Sequence, residues 1–211
     1  TNLGEGFLPQ VFIEELMANL ITTEDYKLAE GITTPKEDAR IDSLVVSVSE
    51  LVKTYCNTSF VDFYSSNKTE TFTTDGIINV VMLKECPVYA IVSVSERTTI
   101  GGSYTALTVN SEYYLDTVTD GIYRTNGSTA FKPFAKGPGA VQVIYKGGYS
   151  STPEDLKLAV IDLITYYLKD EHKERRTIAG ASIQNPGSTS QRNNVAFPDH
   201  IKRVLDLYKN Y

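Results

Sequence analysis

The stretch that most constrains the fold runs from Gly147 to Arg176, GGYSSTPEDLKLAVIDLITYYLKDEHKERR. Thr152 is a candidate N-cap, and Pro153 suits the first helical position, where no amide bond is lost. Glu154 and Asp155 put negative charge at the positive end of the helix dipole. Leu156, Ala159, Val160, Leu163, Ile164 and Tyr167 recur at three- and four-residue spacing, and Leu158, Ile161 and Leu168 widen the apolar face beyond one stripe. Such a helix is contacted from more than one side. Running from 153 to 176 it would be about 30 Å long, enough to cross a small domain.

A second long helix is expected over 35–57. The segment TTPKEDARIDSLVVSVSELVKTYCN opens with Thr34, Pro35 and Glu37, the pattern of a capping box. Ile41, Leu44, Val45, Val48, Leu51, Val52 and Tyr55 then keep helical period, which outweighs the strand preference of the β-branched residues among them. Residues 9–20, PQVFIEELMANL, read as a short helix with Phe12, Ile13, Leu16, Met17 and Leu20 on one face, joined to the second long helix by a polar connection containing Gly31. At the other end PDHIKRVLDLYKNY places Ile201, Val204, Leu205 and Tyr208 on one face of a short C-terminal helix.

Between Phe60 and Tyr145 the pattern changes to short alternating runs, FVDFYS, TETFTT, IINVVML, VYAIVSVSE, EYYLDTV, IYRT and AVQVIY. These are rich in Val, Ile, Thr and Tyr and predict antiparallel strands. Asp75-Gly76, Asp120-Gly121 and Asn126-Gly127 are the dipeptides of two-residue hairpins, and Pro87 belongs at a bend or strand start. Gly101-Gly102 and Gly137-Pro138-Gly139 read as turns. After the central helix, residues 177–197 form a polar stretch with little apolar content, of a length that in a compact domain is usually functional or disordered. The expected fold class is therefore α+β: a small helical bundle of two long helices and a C-terminal helix, with an antiparallel β insertion between the long helices. The expected division is an N-terminal arm with a short helix (1–34), a helical core (35–58 and 148–211) carrying the polar loop 177–197, and the β insertion (59–147).

With 26 acidic and 20 basic residues the net charge is −6, which argues against a surface built to grip DNA or an anionic membrane. Cys56 and Cys86 have no CxxC spacing and no nearby histidine, so they read as reduced thiols rather than zinc ligands. The sequence holds no apolar run of membrane-spanning length and no signal-peptide pattern, which predicts a soluble chain made in a cytoplasm. The signatures GxSxG, GxxxxGK[ST], HExxH and GxGxxG are absent. His172 sits in the charged run KDEHKERR, and His200 follows Asp199, but adjacent helical residues point in different directions. No cofactor, no metal and no catalytic residue is expected.

Arg175, Arg176 and Arg192 bracket the polar loop, where arginine suits interface ion pairs as well as solubility. Tyr208 and Tyr211 at the C-terminus fit a docked tail as well as a frayed one. The order of elements completes the pattern: a helix ending near Tyr55, LKECPVYAIVSVSE, EYYLDTVTDGIYR, VQVIYKGGYSSTPEDLKLAVIDLITYYLKDEHKERR, and FPDHIKRVLDLYKNY after a polar loop. Over residues 35–211 this resembles the head-tail connector, or adaptor, proteins of tailed bacteriophages; the arm before Thr34 has no counterpart in the resemblance.

The resemblance implies a non-enzymatic structural virion protein in the neck, assembled in the bacterial host cytoplasm. It implies a ring, commonly twelve-fold, bound beneath the portal and extending the channel through which double-stranded DNA passes without specific binding. Its implied partners are the portal protein, neighbouring adaptor subunits, and stopper or tail proteins, with no membrane. The implied contact residues, to portal or neighbouring subunit, are Arg175, Arg176, Ile178, Ile183, Gln184, Arg192, Phe197, Tyr208 and Tyr211. A tail-side terminator or stopper of the neck is the alternative, and a small enzyme with a dispersed site is a third class that one sequence leaves open.

Overall fold

The computed structural model describes residues 18–127, 130–169, 175–178, 181–184 and 197–210. The helices are α1 (Thr23–Glu30), α2 (Asp38–Cys56), α3 (Asp62–Ser65), α4 (Glu154–Leu168) and α5 (Asp199–Leu207). The strands are β1 (Lys68–Thr74), β2 (Val80–Met82), β3 (Val88–Glu96), β4 (Thr105–Ala106), β5 (Tyr113–Asp116), β6 (Gly121–Arg124), β7 (Gly137–Gly147), β8 (Arg175–Ile178) and β9 (Ala181–Gln184). They form a four-stranded antiparallel sheet in the order β1-β7-β3-β4, a three-stranded antiparallel sheet β2-β6-β5, and the hairpin β8-β9.

The expected bundle of two long helices is thus incorrect: the chain is a mixed α+β protein with mostly short helices and two substantial sheets. The central helix is the main reason. It spans 15 residues and stops at Leu168, not 176. Lys169–Arg176 contains no apolar side chain, and a helix in a protein is held mainly by burying an apolar face. By Arg175 the chain is in β8, so the stretch expected to be a loop begins with a paired hairpin.

Helix α1 was not expected, because its apolar periodicity is weak and its signal lies in its caps. The Thr22 hydroxyl accepts from the Asp25 amide at 3.1 Å, the Asp25 carboxylate accepts from the Thr22 amide at 2.9 Å, and Gly31 closes the helix at φ 68°. The capping box is therefore here and not at Thr34. Helix α2 instead starts at Asp38 after a turn in which the Asp38 amide donates to the Pro35 carbonyl, with Glu37 in the cap position making no side-chain cap bond. The helix expected over 9–20 lies outside the described residues except for its end, and Ala18–Leu20 are not helical.

Two apolar cores follow from these elements. The helical core gathers Leu20 and Ile21, Tyr26 of α1, Ile41, Val45, Val48 and Val52 of α2, Leu156, Val160, Leu163 and Ile164 of α4, and Ile201 and Leu205 of α5. The second core lies between the sheets, with Val81, Val94, Ile122, Phe134, Val141, Val143 and Tyr145 buried. Each such side chain contributes roughly 1.5–3 kcal/mol by leaving water.

Strand β7 is central: Tyr145 is opposite Lys68 on one side and Ile91 on the other. Two strand expectations need correction. FVDFYS contains the helical turn α3, in which Asp62 is held by Lys53 of α2, so a tertiary contact overrides alternation. Asp75-Gly76 does not join a hairpin, because β1 pairs with β7 while β2 pairs with β6; the turn carries the chain from one sheet to the other. Gly137-Pro138-Gly139 opens β7 rather than forming a free turn. The hairpin of β5 and β6 does form, with Asp120 at φ 53° in its turn.

Candidate assembly surfaces

The helical and β modules meet at one buried carboxylate. Glu85, on the connection between β2 and β3, is 1% exposed. Its Oε2 accepts from the Thr58 hydroxyl, the Ser59 amide and the Ser59 hydroxyl, each at 2.9 Å, and its Oε1 accepts from Lys68 Nζ at 2.7 Å. Burial opposes the charge, yet the Lys68 ammonium and the Ser59 and Thr58 donors together hold the carboxyl below its ordinary value. The Tyr145 hydroxyl accepts from the Glu85 amide and donates to Glu70 Oε1, both at 2.9 Å, and burial pushes this phenol far above its usual range.

Two glycines allow the approach. A Cβ at Gly147 would sit 2.1 Å from the Glu85 carbonyl oxygen, and one at Gly148, with φ +91°, would sit 2.2 Å from that of Phe60. The β module is thereby pinned to the α2–α3 connection by backbone contact as well as by charge.

A second buried charge joins the two sheets. Arg124 of β6 is 3% exposed and donates from Nε and Nη2 to the two oxygens of Glu96 at 3.2 Å, and from Nη1 to the carbonyls of Glu112 and Thr125 at 2.6 and 2.8 Å. Glu96 also accepts from the Ala135 amide at 3.0 Å. This is the forked geometry for which arginine is suited.

The C-terminal segment is fitted to the body. Phe197 is buried, with its ring edge-to-face on Tyr55 at 5.0 Å. Tyr208 is half-buried, donates its hydroxyl to Asp155 Oδ1 at 2.6 Å, and meets the Phe60 and Tyr149 rings edge-on. Asn210 donates its amide to the Cys56 carbonyl at 2.9 Å and its side chain to the Lys84 carbonyl at 2.6 Å, touching both modules. Beside this seam lies a cleft of about 350 Å³, bounded by Thr58, Phe60, Lys84, Pro87, Tyr149 and Leu207.

The expected contact residues separate into two places. Arg175, Arg176, Ile178, Ile183 and Gln184 are on the hairpin, where Arg175 is opposite Gln184 and Arg176 opposite Ile183. Phe197 and Tyr208 are at the edge of the helical core. Arg192 and Tyr211 lie outside the described residues, as does His172, while His200 is exposed on α5. Sequence reasoning missed Glu85, Lys68 and Arg124. The one available signal was a charged residue within an otherwise strand-like apolar context, as in VVMLKECPV.

The buried charges of this chain hold its elements together, and its C-terminal tail is docked against the helical core. That combination defines a mixed α+β scaffold tied together by buried charges. The family model for head completion proteins matches residues 19–211. The chain belongs to the head completion protein family, in agreement with its resemblance to head-tail connectors. It is 24% identical over 191 residues to the head completion protein of Escherichia phage T5, covering 90% of this chain and 98% of that one.

Similar folds occur in the neck of an empty gene transfer agent (GTA) particle computed with C6 symmetry, at TM-score 0.55 and 16% identity, covering 91% of this chain and 90% of the other. The neck of the native particle computed with C12 symmetry matches at TM-score 0.53 and 15% identity, covering 93% and 96%.

Proposed function

We propose that this protein is a head-tail adaptor of the virion neck, whose copies form a ring beneath the portal, extend the DNA channel and join head to tail. The observation that carries this reading is the family match over 19–211, supported by a fold shared with GTA neck components along nine-tenths of each chain. A twelve-fold ring is the order proposed, by analogy with the C12 neck. The role is structural and non-enzymatic, with assembly in the host cytoplasm. A net charge of −6 lets DNA pass without being held.

In this reading the β8-β9 hairpin reaches the portal or a neighbouring subunit. A two-stranded ribbon has an outer edge on each strand that can add to a partner sheet, and Arg175 and Arg176 supply charge at its base. Arg192 and Tyr211 belong to the same proposed contact set, with Tyr208 anchoring the tail that presents Tyr211.

The test mixes purified protein with portal-bearing heads that lack it, and follows ring formation and tail attachment by electron microscopy. Native protein should add a ring at the portal and restore tail joining, while Arg175→Glu/Arg176→Glu should remain folded and fail to add. Binding to tail tubes instead of heads would overturn the adaptor reading in favour of a tail-side terminator or stopper.

A further inference from the structure

A groove of about 530 Å³ runs between the start of α1 and the first half of α2, lined by Ile21, Glu24, Asp38, Asp42, Val45 and Val46 among others. Ile21 and Val45 are buried and form an apolar floor, while Val46 is 50% exposed at the rim. One turn beyond Glu24 on α1 stands Leu28, which is 85% exposed, and Val46 stands one turn beyond Asp42 on α2. Each wall thus sets a carboxylate beside an exposed apolar side chain, since residues four apart share one side of a helix.

The charge of this groove is not matched within the chain. Residues 19–46, which supply both walls, hold six acids and three cations. Lys27 is engaged by Asp38 at 2.8 Å, Arg40 donates to the Leu168 carbonyl at 3.1 Å, and Lys36 is exposed on the turn before α2. Lys157 of α4, whose charge reaches Asp25, is held by Glu154 at 2.8 Å. Asp42 accepts from the Thr23 hydroxyl, and neither it nor Glu24 is paired with a cation among the described residues. The complement of such a groove is a segment that is basic and carries apolar side chains among its cations.

The chain carries a segment of that kind. From Arg175 to Pro198 it has three arginines and no acid, and the nearby Asp170, Glu171 and Glu174 all precede it. Residues 175–184 of this segment form the β8-β9 hairpin, with Arg176 opposite Ile183 and Ile178 opposite Ala181. These strands pair only with each other, and no residue of the hairpin lines the groove of its own chain.

We propose that the β8-β9 hairpin of one copy docks in the α1–α2 groove of the next, Arg175 and Arg176 toward Glu24 and Asp42 and the two isoleucines over the apolar floor. This contact rests on the ring reading above and gives that ring its joint between subunits. Hairpin and groove are different surfaces of one chain, so the contact is head-to-tail, the kind that closes into a ring when the rotation allows.

The test assembles rings on portal-bearing heads from Cys86→Ser protein, whose remaining cysteine, Cys56, is buried. Val46→Cys and Ile183→Cys are added singly or together, and the oxidised rings are run on gels without reductant. A mixture of the two single variants should give crosslinked dimers that neither gives alone, and the double variant should give a ladder. Well-formed rings without a crosslink would overturn the proposal, as would a double variant crosslinked only at monomer mass, which would put the hairpin in its own groove. Charge reversal supplies a second reading. Arg175→Glu/Arg176→Glu and Glu24→Arg/Asp42→Arg, each verified as folded by thermal unfolding, should each lower ring addition at least about tenfold, because like charges then face each other. Combining both pairs in one chain should restore addition. If the combination adds no better than Arg175→Glu/Arg176→Glu, the hairpin meets the portal and not a neighbour, and this contact falls while the ring stands. Failure of native protein to form any ring would remove the ring reading, and the contact with it.

Discussion

Replacing Glu85 with glutamine tests whether a single carboxylate couples the two modules. The native group accepts from four donors while almost fully buried. Glutamine retains one acceptor oxygen and turns an NH₂ toward either the Lys68 ammonium or the Ser59 and Thr58 donors, so donor meets donor in either orientation. Removing one partner of a buried pair costs about 3–5 kcal/mol. Lys68 is 17% exposed and keeps Glu70 at 3.8 Å, which places Glu85→Gln at the lower end, about 3 kcal/mol.

For a chain of this size that is a Tm lower by about 6–12 °C in thermal unfolding. The pH dependence has a definite sign. Because the folded value of Glu85 is depressed, its contribution is complete above the ordinary carboxylate range and is lost as pH falls through the folded value. The Tm gap between native protein and variant should be full at neutral pH and should narrow only as pH falls below the ordinary glutamate value of about 4.3. A Tm within about 2 °C of native at pH 7, or a gap that persists unchanged into acid, would refute the coupling role.

Gly148→Ala should cost more than about 3 kcal/mol in urea unfolding, since its Cβ would meet the Phe60 carbonyl at 2.2 Å in a left-handed backbone. Leu205→Ala, fully buried in the helical core, should cost about 2–5 kcal/mol, whereas Leu158→Ala, 60% exposed on α4, should stay within about 0.5. Arg124→Lys should lose about 2 kcal/mol by the same assay, because a lysine cannot reproduce the paired bonds to Glu96. Deleting 198–211 should expose the helical core by removing Ile201 and Leu205, giving aberrant near-ultraviolet circular dichroism, so loss of attachment in that variant would not by itself locate a contact.

Much of the helical core was legible from spacing. Ile41, Val45, Val48 and Val52, and Leu156, Val160, Leu163 and Ile164, follow the helical period and are buried as that period requires. The β region was legible as antiparallel strands from its alternation. Helix α1 was less visible because its apolar signal is weak, leaving only Thr22, Asp25 and Gly31 to mark it. Of the candidate contacts, the sequence placed Arg175 to Gln184 together by proximity but gave no sign that they pair as a hairpin, since β-pairing depends on which strand finds which edge.

By itself, then, the sequence determined periodicity, caps and turn chemistry, because these depend on residues within a turn or two of one another. Only the tertiary structure decided where the central helix ends, that β1 lies beside β7 rather than β2, and that Glu85 meets Ser59, Lys68 and Tyr145. Those outcomes rest on contacts across tens of residues. They are fixed when apolar faces choose partners and buried charges must find theirs.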